Sequence, residues 1–355
     1  MTALRDPRRT GLHFWIGLQK SPDLTEHDRR LLGELSPAGI VLFRENFAHG
    51  EPYDVWLERL AGLLEAARHA VGRERILVAV DHEGGRVQRT PPPITALPAA
   101  RRWADRAGEV GRLVGRELAS LGVNVDFAPV VDVDSNPQNP IIGDRAFARD
   151  AERVAACGGA FLRGLQDEGV LGCLKHFPGH GDTTVDSHLE LPTVTADRDT
   201  LRARELVPFR RLAAHARLVM TAHVLVPAVD PEAPATLSAP LLRGILREEM
   251  GFAGVVVSDD LGMKAVSPLF ADPRTAVDAL MAGCDQLLLC AHLADTAAAL
   301  PMAAAVERVL GAGAPEAVSL DRSAVRVEAL LQESLQRPPR ALSDTELAAH
   351  AAVVV

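Results

Sequence analysis

Lysine is scarce in this chain. Of 38 basic residues only Lys20, Lys175 and Lys264 are lysines, so arginine is the default cation and a lysine inside a polar motif stands out. Cysteine is also sparse. Cys157, Cys173, Cys284 and Cys290 form no CxxC pair and lie in apolar stretches, which points to reduced thiols packed as small hydrophobes rather than to disulfides or a metal site. No window approaches 18 uninterrupted apolar residues, so no membrane-spanning helix is expected. The basic start, MTALRDPRRTGLHFWIGL, carries a short apolar run broken by His13 and lacks a small-residue cleavage pattern. It reads as the first strand of a cytoplasmic protein rather than as a signal peptide. A glycine period is missing and 24 prolines are scattered throughout, which excludes collagen-like and coiled-coil architectures. Positive charge is in deficit: the net charge is −9, which argues against nucleic-acid or other polyanion binding and leaves a small neutral or mildly charged ligand.

What is present is the balance of an ordinary globular protein, 47% apolar and 24% charged over 355 residues. Apolar runs rich in Val, Ile and Leu recur at His13–Leu18, Gly39–Phe43, Ile76–Asp81, Val123–Val130, Leu171–Phe177, Leu218–Val224, Gly254–Asp260 and Gln286–Cys290. Nearly continuous runs of this kind suit parallel strands buried on both faces. Helical patterns lie between them at Asp54–Val71, Glu109–Leu121, Asp150–Glu168, Leu201–His215, Pro240–Met250 and Arg274–Ala282. Asp150, Asp199 and Ser238 are expected N-caps, and Gly122, Gly169, Gly251 and Gly283 sit where helix C-termini need glycine. Eight strand–helix repeats predict an α/β fold, a single-domain (β/α)8 TIM barrel, over residues 1–336, with 337–355 as a tail or peripheral helix. A doubly wound open sheet is the alternative, weakened because no dinucleotide fingerprint or P-loop follows any strand.

Barrel chemistry is found at the C-terminal ends of the strands. The third run ends in DHEGGRVQR from Asp81, the fourth leads to Asp132, Asp134 and Gly143-Asp144-Arg145, and the fifth ends in KHFPGHGD from Lys175. His223 and Ser258-Asp259-Asp260 end the sixth and seventh. This crowd of ionisable groups suits a polar organic substrate. Neighbours on a strand point to opposite sides, so Asp259 and Asp260 are not expected to face one pocket together. Asp186 beside His188 forms a pair in which the carboxylate fixes the ring and favours its protonated form, a usable acid/base, although a solvated loop would look the same. Lys175 is a compact cation suited to a hydroxyl, or else one half of an internal salt bridge. His176, His180, Asp182 and His188 are conceivable metal ligands, but Pro178 and Gly179 remove the helical spacing of an HExxH site. No GxSxG elbow marks a serine hydrolase.

Five motifs, KHFPGHGDTTVDSHLELP, DHEGGRVQR, IGDRAF, MTAHV and GVVVSDDLGM, together resemble those of the single-domain bacterial β-N-acetylhexosaminidases of glycoside hydrolase family 3, the type associated with cell-wall recycling. The resemblance implies a retaining exo-β-N-acetylglucosaminidase acting through a covalent glycosyl-enzyme on muropeptides. It places the nucleophile at Asp259, the acid/base at His188 with Asp186 as its partner, and sugar contacts at Asp81, Arg89, Arg145, Lys175 and His176. His82 stands where many members of that family have glutamine. No metal or organic cofactor is implied, and the expected partner is a carbohydrate, with neither nucleic acid nor membrane, bound to a monomer or simple homo-oligomer. A phosphorylase of the same family, a non-catalytic sugar-binding barrel and a metal-dependent hydrolase are the competing readings.

Overall fold

Each apolar run contains one strand of a closed parallel barrel in the computed structural model, which describes residues 4–183, 191–291, 295–312 and 315–354. In chain order the strands are β1 (Phe14–Gly17), β2 (Gly39–Leu42), β3 (Leu77–Val80), β4 (Val125–Asp126), β5 (Leu171–Phe177), β6 (Leu218–Thr221), β7 (Leu225–Val226), β8 (Asp230–Pro234), β9 (Val255–Asp260) and β10 (Gln286–Cys290). Around the barrel the order is β1-β10-β9-β6-β5-β4-β3-β2, while β7 and β8 form a separate antiparallel pair not anticipated from the sequence. The run Val123–Val130 shortens to a two-residue strand, beyond which Val130 makes only an isolated bridge to Lys175. Pro129, lacking an N–H, cannot continue the ladder.

Strand alternation sorts the core. Trp15, Val41, Leu77, Ala79, Val125, Phe127, Leu171, Cys173, Leu218, Met220, Val255, Val257 and Leu288 pack together in one buried cluster inside the barrel. Their strand neighbours, among them Phe14, Ile16, Ile40, Val78, Leu174, Val219 and Val256, pack in the larger cluster with the helices. Val327, Leu330 and Leu331, from helix Pro315–Glu333, join the interior cluster. All four cysteines are buried and free.

The helices depart from expectation in informative places. The pattern Leu201–His215 splits into Arg198–Ala203 and Val207–Leu212, because Pro208 is tolerated only in a helix's first turn. The first piece is capped by Asp197, which accepts from the N–H of Thr200 at 2.7 Å, so Asp199 is a first-turn residue and not the cap. Asp150 does cap its helix, accepting from the Arg153 N–H at 2.8 Å. Ser238 lies one residue before the cap position of helix Pro240–Glu249, yet its Oγ accepts from the Leu241 N–H. Gly122, Gly169, Gly251 and Gly283 all take positive φ at helix ends, as expected. Helix Glu26–Leu35, not anticipated, follows a capping box between Thr25 and Asp28. Residues Asp344–Val354 form a helix whose His350 Nδ1 lies 3.1 Å from Glu117. Among the described residues no single helix is long and apolar enough to cross a membrane.

Candidate active site

Alternation carries the interior faces of three strands to the mouth. Leu77 and Ala79 point inward, so two residues further Asp81 does too; Leu171 and Cys173 lead in the same way to Lys175, and Val255 and Val257 to Asp259. These three side chains line a cavity of about 350 Å³, with Glu83, Arg86, Arg89, Arg145, His176 and His180 completing its polar wall. Phe43, Phe127, Met220, Met263 and Leu288 supply apolar surface. Gly84 and Gly85 take positive φ directly after Glu83, and a Cβ on Gly84 would lie 2.6 Å from the Pro98 carbonyl oxygen, so only glycine allows this turn.

Five of the charges in the wall form one paired network. Lys175 Nζ donates to Asp81 Oδ1 at 2.9 Å and lies 2.6 Å from Glu83 Oε1. Arg145 grips Glu83 through two bonds of 2.7 and 2.8 Å, and Arg89 reaches Asp81 at 3.4 Å while lying over the Phe43 ring. Burial alone would push the Glu83 carboxyl up, but Arg145 and Lys175 outweigh it and hold it far below the usual carboxylate range. Burial likewise works against the Lys175 cation, yet Asp81 and Glu83 raise it above the ordinary lysine value. Lys175 is therefore an internal ion-pair member that also lines the cavity.

Asp259 and Asp260 both border the cavity, but the Asp260 carboxylate is buried against Gly262 and Cys290. Their roles differ. Asp260 is 4% exposed, and its Oδ1 accepts the N–H of Gly262 at 2.9 Å and of Cys290 at 3.2 Å, tying β9 to the end of β10. Burial, reinforced by Asp259, pushes the Asp260 carboxyl up to about 7 against the pull of these N–H donors.

His176 is held from behind. Its Nδ1 lies 2.7 Å from Asp132 Oδ2, a carboxylate with no exposure. His180 donates its backbone N–H to the same carboxylate at 2.7 Å, and its Nδ1 lies 2.8 Å from Thr183 Oγ1. Burial lowers the His180 ring to about 4 despite the nearby Asp132 charge. Among the described residues no cluster of three His, Cys, Asp or Glu is arranged to hold a metal ion.

The structure thus brings Asp81, Arg89, Arg145, Lys175, His176 and Asp259 to one cavity. Asp186 and His188 lie outside the described residues. Two residues the sequence reading placed at the mouth without a role, Glu83 and Asp132, prove central to the charge network. The signal for Glu83 was the same two-residue step that points Asp81 inward.

Residues 18–330 match the glycosyl hydrolase family 3 N-terminal domain. A β-hexosaminidase of Alkalilimnicola ehrlichii is 42% identical over 282 residues, covering 76% of this chain and 78% of its own. One from Pseudomonas aeruginosa is 39% identical over 293 residues, covering 81% and 84%. Among solved structures, NagZ from Neisseria gonorrhoeae in complex with N-trifluoroacetyl-D-glucosamine superposes with a TM-score of 0.78 at 33% identity, covering 96% of each chain. A family 3 β-N-acetylglucosaminidase from a Paenibacillus species gives 0.86 at 35%, covering 99% of this chain and 68% of that one.

Proposed function

From the premise that this chain belongs to glycoside hydrolase family 3 and is a β-hexosaminidase, we propose that it is a retaining exo-β-N-acetylglucosaminidase that trims peptidoglycan-derived muropeptides in the cytoplasm. The observation that carries this reading is the position of Asp259. Its carboxylate stands at the C-terminal end of β9 in the same cavity as Asp81, Lys175 and His176. Those groups match a ring of sugar hydroxyls, with Asp81 as acceptor and Lys175 as donor.

In the mechanism, an Asp259 oxygen attacks the anomeric carbon of a terminal β-linked N-acetylglucosamine. The glycosidic bond breaks, its electron pair goes to the departing oxygen, and His188 protonates that oxygen. Water then attacks the anomeric carbon and gives a proton to His188, while the ester electrons return to Asp259. Net configuration is retained. Asp186 orients the His188 ring and stabilises its cation. Arg89 and Arg145 keep Asp81 and Glu83 ionised and in place, so the sugar meets a preorganised wall.

Arg86 favours an acidic aglycone. It is exposed at the rim, donates to the Pro140 and Ile141 carbonyls, and has no acidic partner among the described residues. A carboxylate on a muropeptide would supply one.

The deciding experiment measures products from aryl β-N-acetylglucosaminide and from an anhydro-muropeptide, with and without phosphate and with and without a chelator. Free N-acetylglucosamine released at equal rates in all four conditions is expected. Sugar phosphate appearing with added phosphate would make the protein a phosphorylase, and loss of activity on chelation would make it a metal-dependent hydrolase.

A further inference from the structure

Asp132 lies in the segment that follows β4, with no solvent exposure, and every polar group around it that the geometry identifies is a donor or a ring nitrogen. The backbone N–H of His180 donates to Oδ1 at 2.7 Å, and the backbone N–H of His176 donates to both oxygens at 3.2 and 3.3 Å. The remaining neighbour is His176 Nδ1, 2.7 Å from Oδ2. A carboxylate into which amide N–H groups converge is stabilised in its ionised form. Burial opposes this, but the His176 and His180 contacts bring the Asp132 carboxyl below its usual value. An ionised carboxylate only accepts, so the hydrogen in the 2.7 Å contact belongs to Nδ1.

We propose that Asp132 is a positioning residue that holds the His176 ring with its hydrogen on Nδ1, so that Nε2 faces the cavity and accepts a hydrogen bond from a sugar hydroxyl. Asp132 never touches the substrate. It acts through a ring whose side chain is 8% exposed and which lines the cavity. The division of labour is then plain. Lys175 presents donors, Asp81 presents an acceptor oxygen, and His176 presents a second acceptor whose polarity is set by a buried charge. The same carboxylate anchors the His180 backbone, so one group fixes the start and the turn of the KHFPGH segment.

The inference rests on the proposed contact between His176 and the sugar, and its test separates the two. Asp132→Asn keeps a carbonyl oxygen for the backbone N–H groups but sets an amide N–H against Nδ1, which drives the ring to the Nε2–H tautomer. On aryl β-N-acetylglucosaminide, Asp132→Asn is expected to lower kcat/KM about 10–100-fold, the range for a lost hydrogen bond involving a charged partner. In a His176→Ala background the same substitution should cost less than about threefold, because coupled residues give non-additive losses. An undiminished Asp132→Asn loss without His176 would make Asp132 a merely structural residue and overturn the proposal while leaving the sugar contact standing. A His176→Ala enzyme with full kcat/KM would remove both. A measurement that needs no Asp132 variant to fold is the imidazole nitrogen NMR spectrum of the wild type across a pH series, with His176 assigned from its loss in His176→Ala. Protonated Nδ1 with bare Nε2 is expected; the opposite tautomer overturns the proposal.

Discussion

Lys175 Nζ and Glu83 Oε1 lie 2.6 Å apart in the mouth of the barrel, with each side chain only 3% exposed. Removing one partner of such a buried pair leaves the other charge uncompensated, which costs about 3–5 kcal/mol. Glu83→Gln, which weakens the ties to both Lys175 and Arg145, is therefore expected to lower stability by about that amount, read from denaturant unfolding. Because the native Glu83 carboxyl is held below the ordinary glutamate value of 4.5, its contribution is complete above that value and is lost as pH falls further. The gap between wild type and Glu83→Gln should then narrow under acid; a constant gap from neutral to strongly acidic pH would contradict the pairing.

Asp81, partly exposed at 21%, is expected to respond differently. Asp81→Ala should cost about 1.5–3 kcal/mol in transition-state stabilisation through the lost charge-assisted contact with the sugar. Unchanged kcat/KM would take Asp81 out of the site.

Asp259 and Asp260 separate by mutation. Asp259→Ala should lower kcat by about 10⁴-fold or more, as expected for a nucleophile, whereas Asp260→Asn should retain substantial activity because its amide oxygen still accepts from Gly262 and Cys290. The native Asp260 carboxyl, near 7, binds a proton that the unfolded carboxyl has already released above about 4. Its ionisation therefore lowers stability as pH rises through that window, and the loss is complete above about 7. Asp260→Asn should gain Tm relative to wild type from pH 4 to pH 8, on the order of the Asp260 shift. A dead but folded Asp260→Asn beside an active Asp259→Ala would reverse the assignment.

His82 is buried with both ring nitrogens unpartnered among the described residues, and burial lowers its ring to about 4. The unfolded ring binds its proton near 6.5, so His82 contributes a loss of stability as pH falls from about 6.5 to about 4. His82→Gln should make the fall of Tm across that interval shallower, measured by thermal unfolding; an identical slope would mean the native ring titrates as it does unfolded.

The role of His188 is tested by leaving group. General acid catalysis contributes about 10²–10⁴-fold where the departing oxygen needs a proton. A nitrophenolate leaves without one, and the alkoxide of a muropeptide does not. His188→Ala should slow glycosylation far more with the muropeptide, and azide should restore turnover of the activated substrate as a β-glycosyl azide. Equal pre-steady-state losses on both substrates without azide rescue would remove His188 from this role.

Much of this molecule is legible from local pattern, because a strand buried on both faces must be almost wholly apolar and must alternate. That is why all eight barrel strands fall inside the apolar runs, and why the inward side of Asp81, Lys175 and Asp259 follows from counting in twos. Turn and cap chemistry is equally local, which makes the positive-φ glycines and the Asp150 cap readable, and the missing N–H of Pro208 marks the helix break. The partners of charged groups are another matter. Lys175 and Glu83 are 92 residues apart in the chain and meet only when β3 and β5 close into one mouth. Asp132 reaches His176 for the same reason. No periodicity encodes such pairs: the sequence determines which face of a strand a side chain occupies, while the barrel's closure decides which charge it meets there, and so whether an ionisable group becomes a catalyst, a clamp or a neutral core residue.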